Sequence, residues 1–600
     1  MTGISGFIRP SSFPQELDLG VSCRRQEPGG PRLFRRGGVC LVFEGEIYSQ
    51  RTNGGTSGEG HVLDAGSVIA NLYERHGAEF VQELRGSFAV ALWDAKAQRF
   101  LLAVDPFATR PLYYASEGGL LAFGSRASDL LAYPEIPREI DANALYLFLT
   151  YSYIPAPFTI YRHIRRLQPG QVLVWEKDTL GIKQYWDLTY EEDRGLSEKE
   201  AATLVRETLE DSVRVRLREG EVPLVAGAFL SGGTDSSTLV GLMTKIRGRG
   251  LKTFSVGFSE ERYNEIEYAR IASRHFYTES YERFVNPGEA LRILPRLALI
   301  YDEPFGNSSV IPTFYCLKTA ADAGVKVMFA GDGGDELFAG NERYVTEKIL
   351  SLYQRLPGSV RRCMDPAAES LPEVYPFVRL RNYIRRSNRH NPERFFSYDL
   401  YLREHGDEFF TAEFKESVSD DCLLQVAGDY YRKLNGASWI NRLLYLDMKL
   451  AIADNDLFKV NRAAESLGIQ VRYPYLDTRL AAAAGKIPAH LKLKGFSKRY
   501  IFKKAFQDLL PEEILKKKKQ GFGLPTGDWL RSHPGFRELA RSLLLDSRSL
   551  QRGYFNRKAL ESLLDSHDKE TSSYYGTFIW NFMMLELWHR SHSDRPTADT

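Results

Sequence analysis

Short apolar runs separated by turn formers dominate the first 190 or so residues. Val39 to Phe43, Phe88 to Trp93, Phe100 to Val104 and Leu112 to Ala115 are rich in Val, Phe, Leu and Tyr, and Gly37-Gly38 and Glu117-Gly-Gly119 punctuate them. Such runs predict strands. Ala65 to His76 has helical periodicity instead, so this part reads as a layered α+β domain. From Ser197 the period changes. Glu198 to Arg218 is amphipathic; apolar runs at Val222 to Leu230, Thr253 to Phe258 and Val325 to Ala330 then alternate with helical patterns from Ser236, over Asn264 to Phe276 and around Ala290 to Tyr301. Strand–helix alternation predicts a parallel sheet with helices on both faces. Beyond Asn341 the pattern is almost wholly helical through Leu587, and from Ser591 the chain is a polar tail. The predicted division is residues 1–190, 197–590 and 591–600, an α/β multidomain fold, consistent with two to four domains for 600 residues.

Composition narrows the class. With 79 Lys and Arg against 77 Asp and Glu the net charge is +2, which gives no reason to expect a nucleic-acid or acidic-membrane partner. Five scattered cysteines include no C-x-x-C pair, so free thiols in a reducing compartment are expected. No apolar run approaches the ~18–20 residues of a membrane span. The start, Met1-Thr-Gly-Ile-Ser-Gly-Phe, has no basic region followed by an apolar core. A cytoplasmic multidomain enzyme is the expectation.

The sharpest local chemistry is Ser231-Gly232-Gly233-Thr234-Asp235-Ser236-Ser237, which follows a strand pattern and opens a helix. Glycines let backbone N–H groups approach a phosphate, and the helix N-terminus adds positive potential. No Lys-Ser/Thr ending is present, so this is not a Walker loop. A second, acidic loop, Gly331-Asp332-Gly-Gly-Asp335-Glu336, follows the candidate strand Val325 to Ala330. Strand ends of an open parallel sheet converge on one crevice. Asp235 and Asp335 can therefore share one Mg²⁺, which takes one or two carboxylates plus phosphate oxygens.

At these residues the chain resembles the asparagine synthetase family, glutamine-hydrolysing type, within the ATP-pyrophosphatase superfamily. Further motifs carry the resemblance: Asp302-Glu-Pro304, Phe458-Lys-Val-Asn-Arg462, Val471-Arg-Tyr-Pro-Tyr-Leu-Asp477, Gly495-Phe-Ser-Lys498 and Gln520-Gly-Phe-Gly-Leu-Pro525. The resemblance implies an N-terminal-nucleophile glutaminase domain followed by a synthetase domain. The latter uses ATP and Mg²⁺ to turn a carboxylate into an acyl-adenylate, which an amine attacks. It further implies that Lys498 stabilises charge as the tetrahedral intermediate forms, with Asp332 as a second catalytic residue. Leu230, Val256, Gly257, Ala330 and Gly331 would wall the adenine and ribose.

The glutaminase part departs from the family. Thr2 stands where the family has its nucleophilic Cys, Glu44 where an Asn stabilises the oxyanion, and Arg85 where an Asp binds glutamine's ammonium. A family segment that grips the glutamine carboxylate has no counterpart among Cys23 to Gly38. This domain is expected to hydrolyse no glutamine. In the other half, Asn461, Ala464-Glu465 and Gln470 depart from the aspartate-using pattern and are expected to border the acyl and amine pocket. Idle glutaminase domains also occur in the related β-lactam synthetases and lasso-peptide cyclases, which use an amine within the substrate.

Three readings follow: a lactam- or macrolactam-forming ligase, an asparagine synthetase using glutamine or ammonia, and a non-catalytic regulatory homologue. The expected partner is a small molecule or peptide bearing carboxylate and amine. A precursor peptide, processing proteins and a second copy of the chain are further candidates. The Lys516 to Lys519 run reads as a solvated helix face, with a phosphate- or peptide-binding patch as the alternative, and His275 and His589 as packed or surface residues.

Overall fold

The structure is a computed structural model, and it describes residues 3–8, 31–48, 65–177, 179–217, 225–260, 263–372, 374, 377–517, 523–569 and 574–594. Among the described residues, ten strands build the N-terminal region: β1 (Ser5–Ile8), β2 (Arg32–Arg36), β3 (Val39–Ile47), β4 (Gly86–Asp94), β5 (Arg99–Val104), β6 (Tyr113–Glu117), β7 (Leu120–Gly124), β8 (Arg165–Arg166), β9 (Gln171–Glu176) and β10 (Thr179–Gln184). They form two antiparallel sheets, ordered β10-β9-β5-β4-β3-β2 and β1-β7-β6-β8. Period-two alternation decides the layering. On β3 and β4, Val42, Ala89, Ala91 and Trp93 pack toward the second sheet with Leu121 and Phe123. Their neighbours Leu41, Phe43, Phe88, Val90 and Leu92 pack on the other face against Ile69 and Tyr73 of the helix Ala65–His76. Both faces are buried, which is why these runs read as apolar throughout.

The C-terminal region holds a five-stranded parallel sheet: β11 (Ala226–Phe229), β12 (Lys252–Phe258), β13 (Glu279–Val285), β14 (Val327–Phe329) and β15 (Gln470–Arg472). Its order is β13-β12-β11-β14-β15. The chain steps outward from β11 through β12 to β13, then returns to the other side of β11, where Gly227 pairs with Met328. This reversal of strand order makes a crevice at the carboxyl ends of β11 and β14. Two strands lack a sequence signature. β13 is an exposed edge, Glu-Ser-Tyr-Glu-Arg-Phe-Val, whose charges obscure any strand pattern. β15 has three residues inside a stretch read as wholly helical, and only its pairing with β14 makes it a strand.

Helices cover the sheet and extend beyond it. Helix Glu198–Arg216 begins with a capping box, Ser197 with Glu200, which satisfies two first-turn donors. Helix Trp439–Asp447 continues as a π-helical turn, Met448–Asp456, into helix Leu457–Glu465. No described helix is long and apolar enough to cross a membrane, and the four described cysteines are free. The last helix, Tyr574–His592, runs past the start of the expected tail, and residues 595–600 lie outside the described set.

Buried ion pairs tie the two regions. Arg472 on β15 donates two hydrogen bonds to Glu46 on β3, at 2.8 and 2.7 Å. Arg85 donates to Asp477 at 3.1 Å and to Asp211 at 2.7 Å, and Arg216 also holds Asp477 at 2.7 Å. Arg166 meets Asp454 in the π-helical turn at 3.0 Å.

Candidate functional site

A cleft of about 1020 Å³ opens at the crevice and is lined by both Gly-rich loops. Gly232 has φ +67, and a Cβ there would stand 2.3 Å from the carbonyl carbon of Tyr268, so only glycine fits the turn. Ser231 and Ser236 hydroxyls lie 3.1 Å apart, and the loop runs straight into helix Thr234–Arg247. The acidic loop presses on it: a Cβ on Gly334 would come within 2.7 Å of Asp235 Cγ. The two loops thus meet although 100 residues separate Asp235 from Asp335.

Of the residues singled out from the sequence, Leu230, Ser231, Gly233, Asp235, Ser236, Val256, Gly331, Asp332, Asp335 and Lys498 line this cleft. Gly232, Ser237, Gly257 and Ala330 stand behind that surface; Ser237 and Ala330 are buried. Lys498 pairs with Glu342 at the head of helix Glu342–Gln354. Its neighbour Phe496 is 59% exposed, and the cation over that ring is Lys348, 5.7 Å from the centroid.

Two cations that no motif marks complete the site. Arg499, in the left-handed region at φ 54, places its guanidinium against both loop carboxylates, 2.6 Å from Asp235 and in contact with Asp335. Lys517 lies 3.2 Å from the Ser231 carbonyl oxygen and 3.2 Å from Glu265. Its side chain is 6% exposed, which contradicts a fully solvated lysine run; Lys518 and Lys519 lie outside the described residues. Burial lowers the Lys517 pKa.

The carboxylates sit in a low-dielectric setting. Burial raises Asp235 despite Arg499 beside it. Burial, with the Asp456 charge adding to it, lifts Asp332 to about 6, and burial holds Glu336 well above its ordinary range. Lys459 donates to Asp456 at 2.6 Å. Burial opposes its charge, yet Asp456 and Asp332 keep the ammonium above its usual pKa. One buried oxygen of Asp235, Oδ1, has no hydrogen-bond partner. An orphaned carboxylate oxygen beside a second loop carboxylate fits a divalent cation that also takes phosphate oxygens; Asp235 and Asp335 would hold it.

The residues expected to border the acyl pocket lie elsewhere. Asn461 donates to the Thr109 carbonyl at 2.7 Å and accepts from Tyr473 at 2.7 Å. Glu465 accepts from Arg126 at 2.9 Å and from Arg462 at 3.2 Å. Neither they nor Ala464 and Gln470 line the cleft. Asn461 and Glu465 are turned to the N-terminal region, on the side of helix Leu457–Glu465 away from Lys459; Ala464 is buried, and Gln470 lies on β15, paired with Val327.

In the N-terminal region Glu44 is buried, accepts from Ser125 Oγ at 2.8 Å and lies 3.8 Å from Arg110. Burial raises its pKa, with Arg110 opposing. Arg85 is engaged by Asp477 and Asp211 across the interface rather than facing an open pocket. Thr2 and Cys23 to Gly30 lie outside the described residues, as do Gln520, Gly521 and Phe522.

The asparagine synthase family model matches residues 204–590, and a glutamine amidotransferase domain model matches residues 25–186. The chain is 28% identical to Asparagine synthetase [glutamine-hydrolyzing] 1 of Bacillus subtilis, over 94% of this chain and 87% of that protein. It is 30% identical to a putative asparagine synthetase of Methanocaldococcus jannaschii, over 72% and 82%. Amidase chyE of Penicillium rubens is 23% identical over 77% and 73%. A solved structure of the allosteric regulatory enzyme of purine biosynthesis overlaps 37% of this chain and 46% of its own, at 15% identity and a TM-score of 0.19, too slight to carry an argument. With the family model spanning most of the chain and both loops in place, this protein belongs to the asparagine synthetase family of ATP-dependent ligases.

Proposed function

We propose that the chain forms an amide between a carboxylate and an amine of one substrate, a lactam or macrolactam, with release of AMP and pyrophosphate. One observation carries the reading: the cleft keeps its phosphate loop, paired aspartates and Lys498, while Glu44 and Arg85 are consumed by internal partners. A substrate that brings its own amine needs no ammonia.

The chemistry follows from the lining. A substrate carboxylate oxygen attacks the α-phosphorus of ATP, and the bond to pyrophosphate breaks. Backbone N–H groups of the Ser231–Ser237 loop, with Lys517 and with Arg499 once it turns from the two aspartates, take up the charge of the leaving group. Mg²⁺ on Asp235 and Asp335 would supply further charge neutralisation. The amine nitrogen then attacks the acyl carbon, Lys498 moves from Glu342 to the developing oxyanion, and AMP departs. Asp332, whose pKa burial lifts to about 6, accepts the proton released from the attacking amine.

A second reading, asparagine formation from aspartate, is favoured by the names of the relatives. Pyrophosphate release from MgATP separates the two. Under the first reading, aspartate with ammonia or glutamine gives no release above the ATP-only rate, and compounds carrying both carboxylate and amine do. Aspartate-dependent release with asparagine formed would overturn it. Loss of release in Asp235→Asn and Asp335→Asn tests the metal assignment.

A further inference from the structure

Helix Glu342–Gln354 starts at the cleft, where Glu342 meets Lys498, and leads away from it. Lys348 still touches the site, donating to the Gly495 carbonyl at 2.6 Å. Past that point the surface changes character. Of the fifteen large apolar side chains exposed among the described residues, nine fall between Ile349 and Tyr398. Six of them lie on a three-helix layer made by Glu342–Gln354, Gly358–Glu369 and Phe377–Asn388, and Leu356, Val374 and Tyr398 lie in the segments that follow these helices. Its small core is Tyr353, Ala368 and Ile384, and Tyr383 ties the third helix to the first through the Ile349 carbonyl at 2.9 Å.

The same stretch is basic. Residues 349–389 contain eight arginines, no lysine and three acidic residues, an excess of five positive charges on a chain whose total is +2. Elsewhere the chain is therefore net negative. Arginine beside exposed apolar side chains suits recognition of carboxylates flanked by apolar residues.

We propose that this strip docks an extended, acidic and apolar segment of a polypeptide substrate whose reacting carboxylate enters the cleft. The inference rests on the ligase reading above and names its substrate class. Spacing supports it. At 1.5 Å per helical residue, Ile349 and Leu352 lie roughly 10 and 15 Å along the helix from Glu342. An extended peptide covers that distance in about three to five residues. The docked segment then begins a few residues from the activated carboxylate. Continuity with the cleft favours a substrate segment over a lipid surface, because a bilayer cannot follow the strip into a crevice.

The test uses the full chain and a fluorescein-labelled twelve-residue peptide of alternating glutamate and leucine, read by fluorescence anisotropy. The expected result is saturable binding, weakened at least tenfold in Leu352→Glu and in Leu380→Glu, two exposed positions whose melting temperatures report on folding. A glutamate–serine peptide tests the apolar component and should bind at least tenfold more weakly than the glutamate–leucine one. Equal binding of the two peptides overturns the proposal. So does co-sedimentation with phosphatidylglycerol vesicles, or self-association in sedimentation, that the same variants abolish without any peptide binding. Absence of all binding overturns it as well. ATP binding by the unaltered chain is measured separately: peptide binding without ATP binding removes the ligase reading and leaves the strip standing.

Discussion

Replacing Glu46 by Gln should loosen the contact between the two halves of the molecule. Arg472 and Glu46 are 1% and 3% exposed at their side chains and lie 2.7 Å apart. Taking one charge from a buried pair leaves the other uncompensated, at a cost of about 3–5 kcal/mol. Arg472 keeps its hydrogen bond to the Arg216 carbonyl at 2.6 Å, which puts the expected loss near the lower end. For a domain of 150–250 residues each kcal/mol moves the midpoint by about 2–4 °C, so a fall of about 6–12 °C is expected in the transition of the N-terminal region. Differential scanning calorimetry of the whole chain measures it. Joint replacement, Glu46→Met with Arg472→Met, removes both charges and should recover most of the loss, because apolar pairs of similar volume often substitute for buried ion pairs. A shift under 2 °C in Glu46→Gln, or a double variant as unstable as the single, would refute the claim that this pair holds the interface.

Lys498→Ala should lower the single-turnover rate of pyrophosphate-coupled amide formation by on the order of 10²–10³ while leaving ATP affinity within a few-fold; stopped assays with excess enzyme measure both. Lys492 is fully buried, donates to Asn441 at 2.9 Å, and burial lowers its pKa from 10.5 to about 7. The folded state then binds fewer protons than the unfolded one, so this lysine costs roughly 5 kcal/mol below pH 7, a loss relieved as pH climbs from 7 to 10.5. Lys492→Met should melt higher than the native chain at pH 7, with the gap narrowing by pH 10; a gap constant across that range would show that the lysine is not buried as a charge. Native protein and Thr2→Cys should both release no glutamate from glutamine, because Arg85 is committed to Asp477 and Glu44 lacks an amide N–H; release by Thr2→Cys would show a surviving glutamine pocket.

Much of the site could be read before any coordinates, because its chemistry resides in contiguous loops. Ser231 to Ser237 and Gly331 to Glu336 announce phosphate and metal chemistry by residue order alone, and their meeting follows from parallel-sheet geometry. Arg499 was illegible: its role depends on a left-handed backbone turn that swings it onto both aspartates, and no local pattern encodes that. Lys517 was hidden in a lysine run whose members have different surroundings, Lys516 being 74% exposed at its side chain and Lys517 6%. Asn461 and Glu465 were misplaced for a related reason. Motif proximity to Lys459 says nothing about which side of the helix a residue occupies, and here that side meets the N-terminal sheets. β15 carries no readable pattern because three residues cannot hold a period.

The π-helical turn at Met448–Asp456 makes neighbouring positions serve two masters. Asp454 holds Arg166 of the N-terminal region at 3.0 Å, and Asp456, two residues on, holds Lys459 in the cleft at 2.6 Å. One wide turn of backbone is all that separates them, and π turns recur at functional sites for this kind of re-aiming. Substitutions at Arg166 and at Lys459 should therefore show epistasis, their combined effect on turnover departing from the product of the single effects.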